Sequence, residues 1–115
     1  MKLVIGNKNY SSWSLRAWLA LRATGASFEE VLIDLDTPDF AERVGDYTPA
    51  GRVPVLIDGD LTVWDSLAIV EYLAETFPDA GLWPKDRAAR AHARAVVAEM
   101  HAGFQALRNH WPMNI

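Results

Sequence analysis

The chain reads as an α/β domain of order βαβα then ββα, followed by the start of a helical segment. Three observations predict this. Short apolar runs at Leu3–Ile5 and Val31–Ile33 flank a helical period, which makes a βαβ unit. The stretch from Thr48 to Ser66, TPAGRVPVLIDGDLTVWDS, reads as a turn, two short strands and a helix cap in succession. From Lys85 onward strand signals cease and the chain becomes rich in alanine and arginine.

Taken in order, Leu3, Val4 and Ile5 are too few for a helix and do not alternate, which suits a strand buried on both faces and ended by Gly6. Asn7 to Ser12 is turn chemistry. From Trp13 the positions Leu15, Trp18, Leu19 and Arg22 follow a helical period that stops near Gly25. Phe28 to Asp34 supplies a second strand, parallel to the first through a right-handed crossover. Thr37-Pro38-Asp39 predicts a cap with proline in the first turn of a short helix.

Val53, Val55, Leu56 and Ile57 predict a third strand that Pro54 interrupts. Proline cannot donate to a ladder, so the strand either starts there or runs along an edge, with main-chain groups free for a ligand. Asp58-Gly59 signals a hairpin turn, Leu61–Trp64 the return strand, and Asp65-Ser66 a helix cap. Leu67, Val70, Leu73, Ala74 and Phe77 then recur every three or four residues until Pro78 and Gly81 end the helix. The domain therefore covers 1–80, with a linker at 81–86 and the start of a helical domain at 87–115. In that last segment Ala93, Val97, Met100, Phe104, Leu107 and Trp111 form one apolar stripe, which needs a partner helix. None follows before Ile115, so the chain is expected to be a truncated piece.

Composition excludes several function classes. A net charge of −4 without a Lys/Arg cluster argues against nucleic acid and anionic membranes as partners. No apolar run reaches the roughly 18 residues of a membrane span and no signal peptide is visible, so a cytoplasmic location is expected. The chain has no cysteine, which excludes disulfides, thiolate zinc sites and a Cys-x-x-Cys redox pair. Any thiol chemistry must use a ligand's sulfur. His92, His101 and His110 are spaced by nine residues, so neighbours face opposite sides of a helix and no metal site is expected. Arg87, Arg90 and Arg94 share a face that is either solvated or turned to an acidic partner.

The element order, with Val53-Pro54-Val55-Leu56 opening the third strand and Asp65-Ser66 capping the third helix, resembles the thioredoxin-like N-terminal domain of cytosolic glutathione S-transferases. In that fold the sheet is four-stranded and mixed. Residues 87–111 resemble the first helix of the family's all-α second domain. The loop Ser11-Ser12-Trp13-Ser14-Leu15-Arg16 resembles the serine-type active-site loop, and most closely the Ser-Ser-Cys-Ser-Trp-Arg loop of the zeta class; Gly25 then falls where that class also has glycine.

The resemblance implies a glutathione transferase acting on a small electrophile, with glutathione as co-substrate, no metal, and a homodimeric assembly. It implies a cis Pro54, with the main chain of Val53 pairing with the cysteinyl backbone of glutathione as an added strand. Asp65 and Ser66 match the acidic-Ser pair that holds the γ-glutamyl end, and Arg52 stands where a basic or amide residue meets the glycyl carboxylate. A serine hydroxyl would donate to the sulfur, favouring thiolate over thiol. Zeta-class alignment makes that donor Ser11 with Ser12 beside the sulfur; in other serine-type classes the second serine does the work. Trp13 occupies the position of the zeta-class cysteine associated with isomerisation, so maleylacetoacetate isomerisation is not implied. The alternative is a non-catalytic thioredoxin-fold module for glutathione sensing or protein contact.

Overall fold

Residues 1–115 are described by a computed structural model. The first seven elements are β1 (Lys2–Ile5), α1 (Ser12–Thr24), β2 (Glu29–Leu32), α2 (Phe40–Gly45), β3 (Val55–Asp58), β4 (Leu61–Trp64) and α3 (Ser66–Thr76). A 3-10 turn at Pro78–Ala80 leads to α4 (Arg87–Ala102) and α5 (Gln105–His110). The strands form one mixed sheet of order β2-β1-β3-β4, with β1 parallel to β2 and antiparallel to β3, and β3 antiparallel to β4. This is the thioredoxin-like arrangement.

Alternation along β1 divides the core into two layers. Leu3 and Ile5 turn to one face with Leu56, where Ala17 and Leu21 of α1 and Ile69 and Leu73 of α3 bury them completely. Val4 turns to the other face with Val55, Ile33 and Val44 of α2. A strand covered on both sides is what an unbroken apolar run requires.

Three local expectations shift. Asp58 pairs with Leu61, so the hairpin loop is Gly59-Asp60, and Gly59 takes the positive φ of 58° that suits glycine at the first loop position. The second helix begins at Phe40, after Pro38. The Thr37 hydroxyl bonds the Asp34 carbonyl at 2.9 Å, and Asp39 makes no side-chain cap.

The apolar stripe beyond residue 87 belongs to two helices. Gly103 leaves α4 in an extended conformation and Phe104 follows at φ 63°. The Arg108 guanidinium turns back to the carbonyls of Met100 and His101, giving the end of α4 the partners that continued helix would have supplied. Ala93, Val97 and Met100 are half-buried, whereas Phe104, Leu107 and Trp111 are exposed. Arg90 bonds the carbonyls of Pro84 and Lys85, and Arg94 pairs with Glu71 at 3.2 Å, so two of the three aligned arginines bind α4 to the linker and to α3.

Candidate functional site

Strand direction brings the singled-out loops together. The register Val4↔Val55↔Trp64 puts the end of β1, the start of β3 and the end of β4 at the same end of the sheet. The loop to α1, the Val53–Pro54 segment and the Asp65–Ser66 junction therefore meet there. Between them lies a cleft of about 510 Å³. Ala50, Arg52, Val53 and Pro54 form one wall; Trp64, Asp65 and Ser66 form another; Trp13 of α1 and His101 of α4 complete it.

Each wall has a local cause. Thr48 is buried and its Oγ1 accepts the Ala50 N–H at 3.2 Å, which fixes the turn leading to Arg52. The Val53–Pro54 peptide is cis. β3 begins at Val55 in the sheet interior, so of the two readings of Pro54 the strand follows the proline and is not an edge. Val53 lies outside the ladder, and none of the main-chain hydrogen bonds beyond the helices and strands engages it.

Asp65 is the N-cap of α3: Oδ1 accepts the Leu67 N–H at 2.9 Å, while Oδ2 is 3.2 Å from His101 Nε2. Its backbone sits at φ 77°, a strained position for a side chain larger than glycine. Ser66 is buried at the first position of α3. The free N–H groups of that turn, with the positive end of the helix dipole, favour an anion.

On the α1 side, Ser11 is the N-cap and is nearly buried. Its Oγ accepts the Ser14 N–H at 3.2 Å, and the two hydroxyl oxygens are hydrogen-bonded at 2.9 Å. Ser14 Oγ also accepts the Gly6 N–H at 3.0 Å. Ser12 is half-buried and makes no side-chain hydrogen bond within the chain. Trp13 is flanked by the guanidinium groups of Arg16 and Arg108, 4.2 and 4.3 Å from its ring, and meets the His101 ring edge-on at 5.1 Å. Burial first, and the neighbouring Arg108 cation second, lower the Arg16 pKa from its ordinary value.

Comparison with known proteins decides the family. The family description "Glutathione S-transferase, N-terminal domain" matches residues 10–76. The chain belongs to the glutathione S-transferase family. The chain is 39% identical over 98 residues to a probable maleylacetoacetate isomerase of Caenorhabditis elegans, covering 85% of itself and 45% of that relative. It resembles the holo structure of a maleyl pyruvate isomerase described as a bacterial zeta-class glutathione S-transferase, with TM-score 0.82 and 28% identity over 95% of this chain and 51% of that one. A glutathione transferase homologue from Burkholderia, solved with bound glutathione, matches with TM-score 0.76 and 31% identity over 94% and 56% of the two chains. The chain thus spans about half the length of these relatives.

Of the residues singled out from the sequence, Arg52, Val53, Pro54, Asp65 and Ser66 line one cleft. Ser11 and Ser12 stand at the adjoining start of α1 but are not among its lining residues. Trp13 is. His101 was legible only as a non-ligand of metal. Its usable signal was its place four residues after Val97, on the half-buried face of α4.

Proposed function

We propose that this chain is the glutathione-binding portion of a glutathione transferase, which activates the thiol through a serine hydroxyl for transfer to a small electrophile. The observation that carries the reading is the meeting of the Val53–Pro54 segment with the Asp65–Ser66 helix start in one cleft at the head of α1. Val53 leaves main-chain groups free to pair with the cysteinyl backbone as an added strand. Ser66 and the first N–H groups of α3 receive the γ-glutamyl carboxylate, Asp65 faces its ammonium group, and Arg52 takes the glycyl carboxylate. Solved glutathione-bound neighbours support the ligand.

Activation follows from differential hydrogen bonding. A free thiol titrates near 8.5, and each unit of depression is about 1.4 kcal/mol of preference for the anion. A donated O–H from Ser11, with Ser12 beside the sulfur and the α1 N-terminus behind, supplies that preference. The serine acts as a donor, not as a nucleophile. Trp13 in place of the zeta-class cysteine keeps isomerisation outside this reading. The reading includes a cytoplasmic homodimer; light scattering of the longer protein tests the assembly.

A glutathione-sensing or protein-contact module draws its support from Trp13, which walls the cleft where neither serine does. Trp13 and Trp64 make intrinsic fluorescence a direct readout of occupancy. Saturable quenching by glutathione that weakens in Ser66→Ala and Asp65→Asn is expected. Conjugation of an electrophile by the longer protein should fall in Ser11→Ala or Ser12→Ala with glutathione affinity largely kept. Full conjugation rates in both serine variants would select against serine activation; absence of any saturable quenching would remove the glutathione site.

A further inference from the structure

We propose that Ser14 is a positioning residue that makes Ser11, and not Ser12, an obligate hydrogen-bond donor toward the glutathione sulfur. The inference rests on the reading that a serine of this loop meets that sulfur.

A hydroxyl has one proton to give and two lone pairs. Ser14 is fully buried, and the partners of its Oγ are the Gly6 N–H at 3.0 Å and the Ser11 hydroxyl at 2.9 Å. The Gly6 N–H can only donate. Between two hydroxyls either oxygen can hold the shared proton. If Ser11 donates, the Ser14 proton has no acceptor within the network and stays buried without a partner, which is costly. If Ser14 donates, its proton is used and Ser11 receives two bonds, one from the Ser14 O–H and one from the Ser14 N–H at 3.2 Å.

Both Ser11 lone pairs are then filled, and the proton left over belongs to the member of the pair that keeps some exposure, at 9% against 0% for Ser14. A group in that state can give a hydrogen bond to a ligand but cannot accept one. It therefore favours thiolate, a strong acceptor, over a thiol, whose sulfur accepts only weakly and whose proton this oxygen cannot receive. The run from Gly6 N–H through Ser14 O–H to Ser11 O–H points one way, and each bond polarises the next.

The anchor of the run is held by hydrogen bonds on either side of Gly6: the Ile33 N–H donates to the Ile5 carbonyl at 2.9 Å and the Leu35 N–H to Asn7 Oδ1 at 2.9 Å, which ties the end of β1 to the loop after β2. Ser12 has no such bonds and its hydroxyl can turn to accept or donate.

The test is the pH titration of the thiolate ultraviolet band of glutathione bound to the 115-residue chain. Ser14→Ala should raise the bound thiol's titration by about half a unit to one unit, the scale of one hydrogen bond. Affinity for S-methylglutathione, which has no thiol, should be unchanged, and Ser14→Thr should restore the titration. Ser11→Ala should raise it at least as far, and Ser11→Ala with Ser14→Ala no further than Ser11→Ala alone. A parental titration in Ser14→Ala alongside a raised one in Ser11→Ala would overturn the Ser14 role and leave serine activation standing. A Ser14→Ala shift of equal size in the Ser11→Ala background would also overturn it. Parental titrations in Ser11→Ala and Ser12→Ala alike would overturn the activation reading itself.

Should Ser14→Ala fail to fold, the Gly6 amide resonance of the parent answers the same question. It should move with the bound thiol's titration and stay still with S-methylglutathione; a resonance indifferent to the thiol would overturn the proposal.

Discussion

Asp65 carries two duties on one short side chain. Oδ1 caps α3 through Leu67, Oδ2 meets His101, and both come from a residue at positive φ. Asp65→Ala should therefore cost about 1–2 kcal/mol of stability through the lost cap, together with glutathione affinity. Asp65→Asn keeps an acceptor for Leu67 and a side chain that tolerates this backbone, so it should lose affinity with less loss of stability. Thermal melts beside binding titrations separate the two.

Glu30 gives a pH prediction. The Trp18 indole N–H, then Lys8 at 3.0 Å, hold its carboxyl below the usual 4.5. A depressed folded pKa contributes stability above the unfolded value and loses it as pH falls through the folded one. Glu30→Gln should thus cost under about 1 kcal/mol at neutral pH, since the pair is exposed, and nothing at strongly acid pH, as denaturation series across that range would record. At this scale the sequence was informative where chemistry has few alternatives: Pro54 beside a strand and Asp65-Ser66 before a helix left little freedom. It was uninformative for His101, which reaches Asp65 only through packing of α4 on α3.

The elements behave according to how local their signals are. β1, β3 and β4 follow from short apolar runs bounded by turns, and their boundaries move by only a residue or two. The stripe from Ala93 to Trp111 misled because apolar spacing continues across Gly103, while the main chain does not. The interruption was written in Gly103 itself, a residue that favours helix ends. Arg108 holds the broken end by donating to Met100 and His101 while stacking on Trp13. Arg108→Met should fray the last turn of α4, visible as faster amide exchange near His101 with α1 and the sheet unchanged. It should also weaken glutathione binding, because His101 and Trp13 form one side of the cleft. Unchanged exchange there would assign the closure of α4 to other contacts.

Across the whole molecule, the site is a product of topology. One parallel and two antiparallel pairings bring three loops distant in sequence to one end of the sheet, and no local pattern encodes that meeting. It became legible only through the βαβ rule and the resemblance together. The same topology separates core from periphery. Leu56→Ala should cost about 2–5 kcal/mol, because Leu56 is fully buried opposite Leu3. It should also weaken glutathione binding by loosening β3 behind Val53. Leu107→Ala, on a half-exposed α5 position, should stay within about 0.5 kcal/mol. Denaturant unfolding of the two variants measures the contrast.

On the proposed function, this cleft holds glutathione with its thiol activated by the Ser11–Ser12 corner. Its most direct test is the ultraviolet titration of the bound thiol in the parent chain, set against free glutathione under the same conditions. The bound thiol should titrate at least one unit below the free thiol's roughly 8.5 and move back toward it in Ser11→Ala. Saturable binding with the thiol titrating as it does in water would contradict it.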